Sequence, residues 1–167
     1  DLSCDCLGVS GGWTPVVHLF TQSGGKLKFR DEDQVFIPYS YPSEQLSIGS
    51  CNGDFTLDEI LTNIPKSLKE FLKIKNTEYD NLEVLSATNK LKRNIWLLPS
   101  DKILGKTKSF VDYQNDATAK DIKLALREGF RSIEHVKRYT TTGMGTDQGK
   151  LGNMHALGII SETAGAK

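Results

Sequence analysis

The residues best suited to chemistry lie in one stretch near the C-terminal end: Gly143-Met144-Gly145-Thr146-Asp147-Gln148-Gly149, bracketed by Lys137, Arg138 and Lys150 and preceded by Thr140, Thr141 and Thr142. Glycine amides at a helix start can approach an anion closely, and Arg and Lys donors beside them suit phosphate or carboxylate. The spacing is not that of a dinucleotide-binding fingerprint. Its last interval is a residue too long, and a helix, not a strand, precedes it. Two readings stay open. One is a tight glycine turn beside a solvated basic face; the other is a cofactor, anion or partner contact made by Lys137, Arg138, Thr141, Gly143, Gly145, Gln148 and Lys150.

The remaining reactive side chains carry less. Cys4 and Cys6 alternate along an expected strand and share a face, but a closed metal site needs two further ligands, which no His or Cys pair at useful spacing supplies. They read as a buried, inert pair. His18, His135 and His155 are isolated and sit in no metalloprotease-type frame. No nucleophile triad can be assembled, so no catalytic residue and no metal ligand is assigned.

The elements that must position the glycine stretch follow from patterning. Thr118-Ala119-Lys120-Asp121 is a helix start, with Ile122, Ala125 and Leu126 on one face and Gly129 as the stop. Ser132 opens a short helix through Val136. A third helix is expected from about Asp147 to Ile160, with Leu151, Met154, Leu157 and Ile160 inward. Phe110 to Tyr113 reads as extended.

The first part of the chain reads differently. Leu2 to Ser10 looks like a buried strand entering the Gly11-Gly12 turn. Val16 to Phe20, Lys26 to Phe29, Gln34 to Ile37 and Leu46 to Ser50 are further strand candidates, separated by turn signals such as Ser23-Gly24-Gly25. Thr56-Leu57-Asp58-Glu59 is a capping box. The helix it opens carries Leu57, Ile60, Leu61, Ile64, Leu68, Phe71 and Leu72 on one stripe, with Pro65 predicting a kink or two shorter helices. Asn76 to Arg93 reads as a linker, and Ile95 to Pro99 as an edge strand.

Composition sets the outer bounds. The 167 residues carry 21 basic and 21 acidic side chains, a balance that argues against nucleic acid or an anionic membrane as partner. No apolar run reaches the length of a membrane span, no secretory signal opens the chain, and three cysteines are too few to staple a secreted fold. A cytoplasmic location is the expectation. Both ends read as cuts within a longer protein.

Three blocks carry a family resemblance: 110–118 (Phe110-Val111-Asp112-Tyr113-Gln114-Asn115-Asp116-Ala117-Thr118), 134–144 (Glu134 to Met144) and 146–150 (Thr146-Asp147-Gln148-Gly149-Lys150). In that order, and with Val9-Ser10-Gly11-Gly12-Trp13-Thr14-Pro15 near the start, the chain resembles the α subunit of heterotetrameric sarcosine oxidase. The resemblance implies an α+β chain. Residues 1–75 would be the C-terminal part of a Rossmann-type NAD-binding domain, 76–108 a linker with a short strand, and 109–167 a small helical domain. It implies a complex in which a β subunit oxidises sarcosine at a flavin, oxygen leaves as hydrogen peroxide, and a one-carbon unit passes to tetrahydrofolate. FAD and FMN would belong to the complex, and the flavin-carrying β subunit and the small subunits would be the partners. Another amine or opine dehydrogenase complex is the alternative, and a free-standing helical module a third reading.

Two further resemblances bear on sites. Ile48-Gly49-Ser50-Cys51-Asn52-Gly53 resembles the last strand-to-helix junction of pyridine-nucleotide reductase domains, which makes Gly49, Ser50 and Asn52 cofactor-binding candidates. Ser50 stands where an acidic residue is common, which weakens an inference to FAD at that junction and leaves NAD as what the family resemblance implies. The helical domain also resembles bacterioferritin-associated ferredoxin-like domains, whose four cluster cysteines fall on Asp112, Gln114, Asp147 and Gly152. Iron–sulfur clusters need thiolates. The expectation is therefore a scaffold without a cluster, with Asp112 and Asp147 orienting the turn.

Overall fold

The alternating residues of Lys26–Arg30 (β1) and Val35–Ser40 (β2) pair as an antiparallel hairpin with Phe29 opposite Phe36 and Arg30 opposite Val35. This is a computed structural model, describing residues 3–6, 8, 12–74, 95–99 and 106–165. The chain divides into two units, Asp1–Asn94 and Ile95–Lys167. Its mixture of helices and strands is α+β.

In the first unit, β2 buries Val35 and Ile37, and the turn between the strands uses Gln34 at φ 55°. The Arg30 guanidinium is shared between two acceptors. Its Nε donates to Asp33 Oδ1 at 2.7 Å and its Nη2 to the Gly53 carbonyl at 2.7 Å. That ties the hairpin to the 3-10 turn Gly49–Asn52. Gly53, at φ 87°, has no room for a side chain, because a Cβ there would meet Ile37 Cγ2 at 2.9 Å and Arg30.

Helix α2, Leu57–Leu72, starts where the capping box was expected. The Glu59 carboxylate accepts from the Phe55 and Thr56 amides, each at 3.3 Å. Pro65 sits inside one continuous helix, so the expected division into two shorter helices does not occur. The apolar stripe is only partly covered: Leu57, Phe71 and Leu72 are exposed, Ile60, Leu61, Ile64 and Leu68 are half-buried, and no residue of α2 is fully buried. The described strands of this unit form a single hairpin, too little surface to cover a helix of that length.

Other strand expectations in this unit also change. His18–Gln22 is a short helix, α1, because Thr21 turns back on itself, its amide and hydroxyl both donating to the Val17 carbonyl. Leu46 to Ser50 runs irregularly into the 3-10 turn. Of Leu2 to Ser10 only residues 3–6 and 8 are described, with no strand among them, and Cys4 and Cys6 are exposed. Nothing described pairs beside them to form the face that would bury two thiols. The linker expected over Asn76 to Arg93 lies outside the described residues.

The second unit is built on helix caps. β3, Phe110–Asp112, pairs with β4, Ala117–Thr118, and Thr118 then caps α3, Ala119–Arg127. The Thr118 amide donates to Asp121 Oδ2 at 2.9 Å and the Asp121 amide to Thr118 Oγ1 at 3.4 Å. Gly129 at φ 99° ends the turn after α3. Helices α4, Ile133–Thr140, and α5, Asn153–Ala164, complete the unit. Ala119, Ile122, Ala125 and Leu126 meet Val136, Ala156, Ile159 and Ile160 in one core. Trp96 and Leu97 pack on that core from Ile95–Pro99, which is irregular and not the expected edge strand. Gly158 admits the Trp96 ring, where any Cβ would collide.

Two boundaries in this unit are revised. α4 continues past Val136 to Thr140. The helix expected from Asp147 begins only at Asn153, because Gln148 at φ 54° and Gly149 at φ 74° are left-handed and break any helix running through them. Leu151, expected inward, is therefore 78% exposed, whereas Ile160 is buried as expected.

Candidate functional site

The stretch from Thr140 to Gly152 is a loop held from beneath by the β3 end. Asp112 is 5% exposed. Its carboxylate accepts from the Gly143 amide at 2.7 Å, the Gln114 amide at 2.8 Å, the Asn115 amide at 3.2 Å and Asn115 Nδ2 at 3.3 Å. Burial alone would raise this carboxyl's pKa; the hydrogen bonds, led by that from Gly143, outweigh it and hold the group below the ordinary carboxylate value. Asp112 is therefore a buried anion that exists to gather amides.

Gln114 does the same work one turn along. Its Oε1 accepts from the Thr146 amide at 2.5 Å, the Thr146 hydroxyl at 3.0 Å and the Asp147 amide at 3.4 Å. Asp147 then accepts from the Gly149 amide at 3.1 Å and the Leu151 amide at 3.4 Å. Thr142, fully buried, shares a hydrogen bond of 2.7 Å with the Thr140 hydroxyl, which itself donates to the Val136 carbonyl at 2.8 Å. The loop's amides are thus largely taken by the side chains of Asp112, Gln114 and Asp147 and by the loop's own carbonyls. A flavin or anion meeting this face would be held by side chains, not by a cradle of free glycine amides.

The side chains named from sequence divide accordingly. Arg138, Thr141, Gln148 and Lys150 are exposed on or beside the loop, Lys137 is half-buried with its Nζ 4.0 Å from Glu134 Oε1, and Gly143 and Gly149 are buried. Thr141 adopts φ 59°, a left-handed conformation that β-branched residues rarely take. Gly49, Ser50 and Asn52 lie in the other unit, on the 3-10 turn, with Gly49 buried at φ 70°, Ser50 exposed and Asn52 half-buried. The N-terminal amides at Phe55 and Thr56 are already bound by Glu59, so a cofactor at this junction would meet the 3-10 turn.

Asp112, Gln114, Asp147 and Gly152 all meet at this loop. Gln114 contacts the Asp147 amide, and a Cβ on Gly152 would lie 2.7 Å from the Val111 carbonyl and 3.8 Å from Asp112 Cα. None is a thiolate, and carboxylate and carboxamide oxygens are spent on amides, so the arrangement does not fit an iron–sulfur cluster. Among the described residues there is no cluster of three His, Cys, Asp or Glu side chains placed to hold a metal. His155 sits edge-on to Trp96 with ring centroids 6.0 Å apart. No described helix is long and apolar enough to cross a membrane.

Sequence reasoning missed Asn153, whose carboxamide lies between Gly143 and Gly149. The available signal was an Asn directly after a glycine at the opening of an apolar helical run.

Residues 106–167 match the family model of the sarcosine oxidase A3 domain. Across 98% of its length the chain is 31% identical to sarcosine oxidase subunit alpha of Rhizobium meliloti strain 1021. Across 96% it is 32% identical to the same subunit of Corynebacterium sp. strain P-1 and 33% identical to that of strain U-96. It spans 17% of the length of each.

Proposed function

This chain belongs to the sarcosine oxidase alpha-subunit family, and on that premise we propose that it is a structural and interface segment of a flavin-dependent sarcosine oxidase complex. In this reading catalysis belongs to a flavin-carrying β subunit, which oxidatively demethylates sarcosine with release of hydrogen peroxide, the one-carbon unit passing to tetrahydrofolate. The first unit helps to close an NAD site through Gly49, Ser50 and Asn52. The second presents the loop Thr140 to Lys150 to the flavin-carrying partner, with Arg138, Thr141, Gln148 and Lys150 as the contacting side chains.

The observation that carries this reading is the loop itself. A buried carboxylate and a carboxamide are committed to fixing the shape of a surface loop, while its outer side chains Gln148, Lys150 and Leu151 stand exposed. A loop already held in one shape suits a contact that must meet a partner, because less ordering is left to do on binding. The side chains fit flavin as a ligand at a subunit boundary, where Arg138 and Lys150 would meet its phosphate or an acidic rim of the partner. The former cluster positions supply no thiolate and hold no cluster.

Two measurements test this. In the full-length subunit, Arg138→Glu with Lys150→Glu should weaken assembly with the flavin-carrying partner by about tenfold or more, since reversed rim charges slow association. Unchanged assembly and flavin content would remove the loop from the interface. The purified chain should be colourless and iron-free; visible sulfur-to-iron absorption would overturn the lost-cluster reading. The equivalent subunit of another amine or opine dehydrogenase complex is distinguished by turnover: with the assembled complex, sarcosine should give hydrogen peroxide.

A further inference from the structure

Two of the loop's glycines, Gly143 and Gly149, leave a space that the Asn153 carboxamide fills. We propose that Asn153, the first residue of α5, is the positioning residue of this loop, its carboxamide occupying the room made by the two absent side chains. A Cβ on Gly143 would be driven into Asn153 Oδ1, and one on Gly149 into the whole carboxamide. Both glycines are buried and both have φ of 74°. Their smallness and their left-handed backbone therefore serve one neighbouring side chain.

That side chain braces the strained point of the loop. Asn153 Nδ2 donates to the Gln148 carbonyl at 3.4 Å, and the Asn153 backbone amide to the Gly149 carbonyl at 2.9 Å. Gln148 is a non-glycine residue at φ 54°, a conformation that L side chains adopt at a cost. Asn153 Oδ1 is buried and has no hydrogen-bond partner among the described residues. Leucine has the same branch at Cγ and no oxygen to orphan, so the carboxamide is accounted for by its Nδ2 and the Gln148 carbonyl it holds. With the brace in place Gln148 and Lys150 are presented outward in one arrangement. This rests on the reading of the loop as the partner face, and it names the residue that keeps that face preformed.

The test uses the full-length subunit carrying Asn153→Leu, which keeps the branch at Cγ and loses the donor, and the same change combined with Gln148→Gly, which removes the strain that needs bracing. Native-state trypsin cleavage after Lys150 reports loop opening, and dissociation from the flavin-carrying partner reports the face. Asn153→Leu should speed cleavage about tenfold, and adding Gln148→Gly should return it to within about twofold of the parent. Rescue by a glycine shows that the lost function was the brace, because a general packing defect would not respond to it. Cleavage unchanged in Asn153→Leu, or raised equally in the double variant, would overturn the assignment. Faster cleavage with rescue but unaltered partner dissociation would uphold Asn153 as the loop's brace and overturn the loop as the partner face.

Discussion

Asp112→Ala is expected to lower the stability of the second unit by on the order of 3 kcal/mol, because it strips a buried charge-assisted acceptor from three backbone amides at once. Those amides, of Gly143, Gln114 and Asn115, would be left without their carboxylate, the Gly143 amide in a buried position. For a unit of this size such a loss lowers the melting temperature by roughly 15 °C. Asp112→Asn keeps the volume but turns an NH2 group toward donors, so it should lose much of the same stability. The pH dependence separates charge from shape. Asp112 titrates below the ordinary value of 3.8 when folded, so the unfolded chain takes up the proton first. Its contribution is therefore fully present above the unfolded pKa and lost as pH falls through the folded one. Melting curves from neutral pH down to about pH 3 should show the gap between the parent and Asp112→Asn narrowing below about pH 4. A gap that stays constant throughout would mean that the carboxylate's charge contributes nothing.

Ile122→Ala is expected to cost about 3 kcal/mol, whereas Leu151→Ala should change stability by less than about 0.5 kcal/mol. Ile122 is completely buried at the centre of the α3, α4 and α5 core. Removing its outer carbons leaves a cavity among small neighbours, Ala119, Ala125 and Ala156, that have little capacity to collapse into it. Leu151 carries an aliphatic side chain of similar size that is 78% exposed. Chemical unfolding of the two variants decides between buried-core and helix-face placements. A large loss for Leu151→Ala would restore the helix that sequence periodicity placed from Asp147 onward. A small loss for Ile122→Ala would contradict the core itself.

What could be seen in the sequence was the chemistry that acts over three or four residues. Thr118 with Asp121 and Thr56 with Glu59 mark helix starts by local hydrogen bonding, Ser132 stands at the N-cap of α4 and the left-handed Gly129 follows the end of α3. The site's location was equally legible, because the glycines and basic residues cluster in one short stretch. Its construction was not. Asp112 reaches Gly143 across 31 residues and Gln114 reaches Thr146 across 32, and no local pattern announces which amide a distant carboxylate will find. The start of α5 was misplaced because Gln148 is not a residue that signals a left-handed turn, yet it adopts one. In the first unit, periodicity named the apolar stripe of α2 correctly as a stripe, but pattern alone says nothing about how much neighbouring surface exists to cover it.

We propose the loop from Thr140 to Lys150 as a preformed contact face for a flavin-carrying partner subunit. The most direct measurement is amide hydrogen exchange on the full-length subunit, alone and assembled with that partner. The loop's exchange should slow on assembly by about tenfold or more while the amides of α3, already buried in the core, stay unchanged. Equal exchange of the loop in the free and assembled states, with protection appearing only elsewhere, would contradict the account.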